Sequence, residues 1–405
     1  MKVKIWKGTD QIGGCITEIK TENTKIIIDF GSDLDEEKDF EIEGLTKGTP
    51  AYDAVFITHS HGDHIGLIHN ILEDIPIYVE EISEKIYHLL NEFTSKKYLK
   101  KQTLHFNFHK PITIKDITIT PFLVDHSSYN AAMFLIEAEN KRILHTGDFR
   151  NHGRKGTLFL KAIKEIGTVD LIITEGTTLG RKNEKSKTEE ELTLEATEIF
   201  KKYDQVFILQ ASTNIDRITT IYKASRKTNK NFIEDLFTAN IATHLQNNKI
   251  PNPQNFSNVY VWIPTKYKKK QKEFKKMYIE PFKKYSKKEA YENKKYTLLV
   301  KTSMLEDIEK LYAKKKITNA VLLYSMWEGY QEKEEMKEFL EKIKNYEIYD
   351  KINLHTSGHA SIETIALLNK LKAKEVIPIH TTNAKELQQI LENVYLIKDE
   401  EEIEV

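Results

Sequence analysis

Three histidines and one aspartate fall within six consecutive residues, His59-Ser60-His61-Gly62-Asp63-His64. His59 and His61 are two positions apart, so they point to the same side of an extended backbone. Asp63 and His64 follow where the chain turns, and they approach the same point from another side. Neutral imidazoles and carboxylates are the ligands that zinc and similar divalent ions prefer. This stretch therefore predicts a two-metal site.

The apolar pattern around this motif predicts how the backbone holds it. Residues 54–57 predict a short buried strand, and residues 65–68 predict a helix. Up to about residue 180 the chain is rich in predicted strands, with a hairpin that turns at Glu139-Asn140. Beyond that point helix and strand patterns alternate, beginning with a capping box of Thr188 and Glu191. The alternation predicts a doubly wound α/β unit.

Length and composition bound the class of protein. With 405 residues, two domains are expected rather than one. A hydrophobic content of 40% and a charged content of 30% predict a soluble protein, and no apolar run approaches the roughly 20 residues of a membrane span. The single cysteine, Cys15, excludes an intramolecular disulfide and fits a reducing cytoplasm. We expect it to be a buried small apolar residue rather than part of a metal cluster.

Three more ligand-type residues follow predicted strands: His126, Asp148 and His380. One such histidine alone is usually an ordinary surface or core residue, but together with the clustered motif they complete two coordination shells. We expect two sets of three ligands, which are His59, His61 and His126 on one ion and Asp63, His64 and His380 on the other. Asp148 would bridge the ions, because a carboxylate can hold two cations roughly 3.5–4 Å apart. Asp29, which also follows an apolar strand, is a candidate to orient a ligand histidine.

The order of these residues resembles the motif series of the metallo-β-lactamase superfamily. That series comprises Asp29, the segment 59–64, His126, Asp148 and His380. Three further segments are similar to the nucleic-acid-processing branch of the superfamily, the β-CASP nucleases, and among these to ribonuclease J-like proteins. They are 171–178 with the acidic residue Glu175, 211–217 with Ser212 and Asn214, and 355–360 with His355, Ser357 and His359.

The resemblance implies an α/β fold with a four-layer αββα metallo-β-lactamase body. That body would comprise residues 1–181 and 351–405, and a β-CASP α/β domain would be inserted at 182–350. Ribonuclease J carries a further C-terminal domain, whereas this chain ends 25 residues after His380. It would therefore be a short form without that domain, and a homodimer is left open.

The resemblance also implies metal-dependent hydrolysis of phosphodiester bonds in RNA, by exonuclease or endonuclease cleavage or both. Two divalent ions, with zinc preferred and manganese as the alternative, would activate a water that Asp63 orients or deprotonates. His359 is expected to act as the acid for the leaving oxygen and to be held in its cationic form by Glu175. Four residues are candidates for substrate contact: His355, Ser357, Ser212 and Asn214.

A lysine-rich segment supports a nucleic-acid partner. Residues 266–296 contain thirteen lysines and four glutamates, interleaved with aromatic residues. Lysines neutralise phosphates and aromatic rings stack on unpaired bases, which predicts binding of single-stranded RNA with Lys268, Lys269 and Lys270 as contacts. The alternative is a buried helical stripe that includes Phe274, Met277, Tyr278 and Phe282, with the lysines as its solvated face. The two interpretations are compatible, because the buried face can present the charged face to RNA.

Three other functions stay open. The same metal centre can hydrolyse a small ester, lactone or thioester, although such an enzyme does not need Glu175 or the 355–360 motif. The substrate can be DNA rather than RNA. A non-catalytic nucleic-acid-binding homologue is disfavoured, because every expected ligand position carries a ligand-type residue.

Overall fold

The computed structural model describes residues 1–34, 38–96, 99, 101–181, 186–292, 295–314 and 316–405. They form two compact units: the first unit comprises Met1–Ser186 and Gly358–Val405, and the second unit comprises Lys187–Ser357. The second unit thus interrupts the first along the sequence. The expected boundary at residue 182 lies outside the described residues. The identity of the second unit as a β-CASP domain stays a prediction.

The secondary structure elements are numbered here in chain order. The strands are β1 (Lys2–Lys7), β2 (Ile16–Lys20), β3 (Lys25–Ile28), β4 (Ala54–Phe56), β5 (Ile77–Val79), β6 (Leu104–His105), β7 (Ile112–Ile114), β8 (Ile117–Leu123), β9 (Ala132–Ala138), β10 (Lys141–His145), β11 (Leu171–Glu175), β12 (Gln205–Leu209), β13 (Asn231–Asp235), β14 (Val259–Trp262), β15 (Tyr296–Val300), β16 (Ala320–Tyr324), β17 (Tyr349–Asn353), β18 (Glu375–Ile379) and β19 (Glu402–Glu404). The α-helices are α1 (Gly62–Ile65), α2 (Glu81–Thr94), α3 (Thr157–Ile166), α4 (Glu189–Phe200), α5 (Ile215–Lys227), α6 (Leu236–His244), α7 (Lys272–Phe274), α8 (Glu289–Glu292), α9 (Leu305–Ala313), α10 (Glu334–Lys344) and α11 (Ile362–Ala366). In the described part of the chain no helix is both long enough and apolar enough to cross a bilayer.

The first unit is built on two sheets that share one core. Among the described residues their strand orders are β19-β1-β2-β3-β4-β5-β6 and β18-β11-β10-β9-β8-β7. Successive residues of a strand point to opposite faces, so each sheet can bury both faces. Ile26 and Ile28 of β3 pack in the shared core with Phe134 of β9. Ile27, between them, packs on the outer face with Tyr87 of α2.

The outer face of the second sheet is covered in the same way. Leu144 of β10 packs with Phe159 and Ile163, which lie on α3. Helices therefore cover both outer faces of the paired sheets. The expected four-layer αββα arrangement is confirmed.

Two local predictions had different outcomes. The hairpin is confirmed, because Glu139 and Asn140 both adopt positive φ angles between β9 and β10, as a tight two-residue turn requires. The helix expected over 65–68 is wrong in position, since it spans Gly62–Ile65. The Leu67 amide donates to the carbonyl of Phe30 at 3.0 Å, and this tertiary bond takes the chain out of the helix.

The second unit is built on a parallel sheet. Within the described residues its strand order is β14-β13-β15-β12-β16-β17, and every pairing is parallel. The predicted capping box is present at the start of α4, where Thr188 and Glu191 bond each other's backbone amides. The predicted alternation of helix and strand is therefore confirmed.

The lysine-rich segment does not form one regular helix. Residues 265–285 follow a succession of short 3₁₀, α and π turns, and Pro281 lacks the amide that a continuous helix would need. Phe282 is buried, but Met277 is 63% exposed. The predicted buried stripe is thus wrong at Met277.

A buried ion pair ties the second unit together. Arg217 of α5 donates to both carboxylate oxygens of Glu189, which opens α4, at 3.1 and 3.3 Å, and both side chains are fully buried. The same guanidinium donates to the hydroxyl of Ser325 and the carbonyl of Leu354. Such a pair costs desolvation when formed, but removal of one partner leaves an uncompensated buried charge.

We expect Arg217→Met to lower the free energy of unfolding of the second unit by about 3–5 kcal/mol, because Glu189 would stay buried without its partner. The double variant with Glu189→Leu should recover most of that loss. Urea unfolding can be followed by tryptophan fluorescence, since Trp262 and Trp327 both lie in this unit. If the free energy of unfolding of the single variant decreases by less than about 1 kcal/mol, the Arg217–Glu189 ion pair does not stabilise the second unit as proposed.

Candidate metal centre

The candidate ligands lie in loops at strand ends of the first unit. His59, His61, Asp63 and His64 follow β4, and His380 follows β18 directly. His126 follows β8, and Asp148 follows β10. Strands β8, β10 and β18 run in the same direction within their sheet, so their carboxyl ends meet at one edge. The fold therefore brings together residues that are up to 321 positions apart (59 to 380).

The first predicted ligand set is compact. Nδ1 of His61 lies 3.1 Å from Nε2 of His59 and 3.1 Å from Nε2 of His126. Burial lowers the pKa of all three imidazoles, to about 4 for His61, and neighbouring histidines reinforce the effect at His59 and His126. Three neutral nitrogens directed at one point are what a divalent ion needs.

The second predicted set gathers around Asp63. Its Oδ2 atom lies 3.1 Å from Nε2 of His380 and 4.0 Å from Nε2 of His64. Burial lowers the pKa of both histidines, but the Asp148 carboxylate and its acidic neighbours outweigh this effect. The pKa of His64 therefore lies well above its usual value, and that of His380 is also raised. Positive charge is favoured at this point of the site.

Asp148 lies between the two sets. Its Oδ2 atom lies within 4 Å of five imidazole nitrogens: His64 Nε2 at 3.4 Å, His359 Nδ1 at 3.4 Å, His59 Nε2 at 3.8 Å, His126 Nε2 at 3.8 Å and His380 Nε2 at 3.9 Å. The side chain is 1% exposed, and among the described residues neither of its oxygens has a hydrogen-bond partner. This position is the one that a bridging carboxylate would occupy.

The outer nitrogens of the histidines are fixed by the protein. His64 Nδ1 contacts Asp29 Oδ2 at 2.7 Å, and His126 Nδ1 contacts the carbonyl of Gly358 at 2.7 Å. Each Nδ1 partner orients its ring and leaves Nε2 directed inward, as in metal sites generally. The other two partners are hydroxyl groups, Thr58 at 3.0 Å from His59 and Thr177 at 2.7 Å from His380.

Asp29, the residue predicted to orient a ligand histidine, lies beneath this site. It is fully buried with φ +62°, and its Oδ1 accepts from the Thr58 amide at 2.7 Å. Thr58 and Thr177 were not among the predicted ligand-orienting residues. The adjacency of Thr58 to the histidine motif was a usable signal, but Thr177 is 203 residues from His380 and carried none.

The donor set fits divalent cations. The first ligand set supplies neutral nitrogens. In the second set, carboxylates favour protonated histidines. Buried atoms of His64 and Asp148 make no hydrogen bond among the described residues. A cation can replace such protons and satisfy those atoms at once. Groups of ligand atoms that lie close enough to hold an ion include His59, His61 and His126; His59, His64 and Asp148; and Asp148, Glu175, His359 and His380.

Glu175 and His359 lie beside this cluster. Glu175 Oε2 lies 3.0 Å from His359 Nδ1, and its other oxygen accepts from the amides of Phe149 and Ala360 at 3.0 and 3.3 Å. Glu175 is 1% exposed, whereas the His359 side chain is 22% exposed. The carboxylate is thus fixed by backbone groups, and the imidazole it holds is open to solvent.

Cys15 is buried, as expected, but its surroundings are polar. Burial raises the pKa of its thiol, and the carboxylates of Asp148, Asp63, Asp29 and Glu175 raise it further. The thiol therefore lies close to acidic side chains and beside two of the predicted ligands, His64 and His380.

The other predicted substrate contacts belong to the second unit. Ser212 is buried and its hydroxyl bonds that of Thr238 at 2.7 Å, while Asn214 caps α5 by accepting from the Arg217 amide. Lys268 and Lys269 are exposed, and Lys270 is half-buried. His355 and Ser357 are also half-buried. Their roles stay predictions.

Comparison with known proteins also indicates a likeness to the metallo-β-lactamase superfamily. Residues 24–208 match the family model described as a beta-lactamase superfamily domain. The probable RNase MJ4 of Methanocaldococcus jannaschii is 28% identical over 187 residues, which cover 41% of this chain and 43% of that protein. Ribonuclease J of Mycoplasma pneumoniae is 30% identical over 160 residues, which cover 37% of this chain and 28% of that protein. The matches thus span less than half the length of these relatives.

A solved structure extends the similarity in fold to the whole chain. The crystal structure of a protein of unknown function from Enterococcus faecalis V583 superposes with a TM-score of 0.74 and 18% identity, and it covers 99% of both chains. This likeness concerns the fold alone. The sequence match in the body that carries the histidine cluster confirms the resemblance first seen in the motifs. Residues 24–208 are similar to the beta-lactamase superfamily domain, and the chain resembles the ribonuclease J-like proteins.

Proposed function

We propose that this protein is a metal-dependent nuclease that cleaves RNA, with single-stranded RNA preferred over duplex. The observation that carries the proposal is Asp148, whose Oδ2 lies within 4 Å of five imidazoles, with the Glu175–His359 pair beside it. A small-ester hydrolase needs the first feature but not the second. The names of the relatives support a nucleic-acid substrate.

The residues named above would hold two divalent ions, with Asp148 between them. When bound, such ions offset phosphate charge and make a bound water acidic enough to attack near neutral pH. Zinc is our first choice, because every expected terminal ligand except Asp63 is an imidazole, and manganese is the alternative.

Asp63 is the residue that we propose to orient or deprotonate the attacking water. Its Oδ2 contacts His380, which leaves Oδ1 to accept a hydrogen bond. Burial works against ionisation of Asp63, but the neighbouring His64 and His380 outweigh it and keep its pKa below the usual value. The carboxyl group is therefore ionised at neutral pH and able to orient a water.

His359 is the residue that we propose as the proton donor to the leaving 3′ oxygen. Glu175 engages Nδ1, so Nε2 is the nitrogen that can face a substrate. Its side chain is 22% exposed, whereas those of His59, His64, His126 and His380 are at most 1% exposed. A solvent-accessible imidazole held by a buried carboxylate suits a proton donor.

Parallel incubations test the proposed function directly. The protein would be loaded with zinc or manganese and offered 5′-labelled single-stranded RNA, the same sequence as DNA, an RNA duplex and a chromogenic ester. Faster cleavage of single-stranded RNA than of the other three is expected. Release of mononucleotides would indicate exonuclease cleavage and a ladder would indicate internal cuts. Turnover of the ester alone would overturn the proposal.

We expect His359→Ala to slow RNA cleavage by about 10²- to 10⁴-fold, the usual contribution of a general acid. Bound metal should stay at about two ions per chain, because the expected ligands are unchanged. His109→Ala is a matched control, since His109 also pairs with a glutamate, Glu165, at 3.1 Å on the surface. Loss of metal from the His359 variant would make His359 a ligand instead of the acid.

RNA binding should weaken steeply with salt, and charge reversal of Lys268, Lys269 and Lys270 should flatten that dependence. Each phosphate contact on a single strand contributes roughly 0.7 to the slope of log K against log salt, so removal of all three lysine–phosphate contacts should lower the slope by about 2. Reversal of Lys370, Lys372 and Lys374, which are also exposed, is the control. Binding can be measured by fluorescence anisotropy in chelator, and equal slopes in both variants would reject the lysine contact.

A further inference from the structure

We propose that Cys15 is an additional ligand of the second ion, beside Asp63, His64 and His380, and that its sulphur makes this site prefer zinc over manganese. The inference rests on the proposed two-ion function and concerns which metal serves it. It departs from our sequence-based expectation that Cys15 is only a small buried residue.

The juxtaposition of three ligand atoms carries the proposal. The Cys15 sulphur and one nitrogen each of His64 and His380 lie within 4.8 Å of one another, and all three residues are buried. Cys15 is 1% exposed, as are His64 and His380. One ion of ordinary coordination radius can therefore reach all three atoms with small side-chain adjustments.

His64 provides independent evidence that a ligand is missing at this point. Its Nδ1 is bound by Asp29 at 2.7 Å, so Nε2 is the nitrogen left for a ligand. Among the described residues Nε2 has no hydrogen-bond partner, although His64 is only 1% exposed. Asp148 Oδ2 lies 3.4 Å from this nitrogen, in contact but outside hydrogen-bond geometry. A buried nitrogen without a hydrogen bond is costly unless something binds it. An ion shared with the Cys15 sulphur would satisfy it.

The backbone fixes the thiol relative to the other ligands. The Cys15 amide donates to the carbonyl of Asp63 at 3.1 Å, and its carbonyl accepts from the Gly31 amide at 3.2 Å. On the other side, the His380 amide donates to the carbonyl of Gly8 at 2.7 Å. A Cβ at Gly8 would lie only 3.6 Å from the Cys15 sulphur, so this strand end packs against the thiol. The sulphur is thus tied to Asp63 and His380 through short backbone links.

The chemistry of sulphur bears on the choice of metal. A divalent ion bound here would displace the thiol proton to water, and a bond from sulphur to the ion would replace the S–H bond. Thiolate ligands favour zinc over manganese, which prefers oxygen ligands. The site should therefore discriminate between the two metals.

Cobalt(II) substitution tests the sulphur bond without any activity measurement. Full-length protein stripped with chelator and titrated with cobalt should develop the near-ultraviolet charge-transfer absorption of a thiolate–cobalt bond. Cys15→Ser, which keeps a similar size and replaces the thiol with a hydroxyl group, should lack this band and retain the visible absorption of bound cobalt. Cys15 is the sole cysteine, so no other thiol can produce the band.

Competition with a chromophoric chelator tests the metal preference. We expect Cys15→Ser to weaken zinc binding at one of the two sites by at least about tenfold, with manganese affinity changed less than about twofold. Cys15→Ala should behave like Cys15→Ser, which separates the effect of the sulphur from that of side-chain volume. Thermal unfolding of each variant in chelator would show that the metal-free fold is intact.

The outcomes separate this proposal from the proposed function. Absence of the charge-transfer band in the unaltered protein, with two cobalt ions bound, would overturn Cys15 as a ligand and leave the two-ion nuclease in place. Failure to bind two ions at all would reject both. An equal loss of zinc and manganese affinity in Cys15→Ser would show a packing role and would also overturn the proposal.

Discussion

The buried charge of Asp148 is the constraint on which the site depends. A carboxylate that is 1% exposed, with no hydrogen-bond partner among the described residues, would be unstable in the interior without positive charge beside it. Five imidazole nitrogens surround its Oδ2 atom within 4 Å, and two divalent ions would complete the compensation. The burial lowers the pKa of His59, His61 and His126, which keeps them neutral, as metal ligands must be.

The fold makes this concentration of charge possible. Two sheets pack their apolar faces together, so that their strand ends carry the polar loops at the rim of a rigid body. Three of the candidate ligand rings are each oriented by a second contact: Asp29 for His64, Gly358 for His126 and Thr177 for His380. Because those contacts occupy the outer nitrogens, the inner nitrogens are directed to the same small volume.

Much of the local structure was predictable from the order of residue types. Ile26, Ile27 and Ile28 of β3 form a continuous apolar run, and because side chains alternate in direction along a strand, Ile26 and Ile28 face one core while Ile27 faces another. Glu139 and Asn140 suit a tight turn, and Thr188 with Glu191 suits a helix start, because both depend on neighbours within a few residues. The helix after the histidine motif was misplaced because a bond from Leu67 to Phe30, 37 residues earlier, ends it. Met277 was misassigned because Pro281 and short turns break the helical period.

By itself, the sequence determined the types of the candidate ligands, the strand that precedes each of them and the superfamily that the chain resembles, since these depend on residue identity and local order. Only the tertiary structure decided which nitrogen of each histidine points inward, that Thr177 orients His380, and that Cys15 lies beside His64 and His380. Those features depend on contacts between residues as far as 365 positions apart (15 to 380), and no local pattern encodes such distances. The packing of the two sheets, rather than the spacing of residues within the motif, brings these residues together.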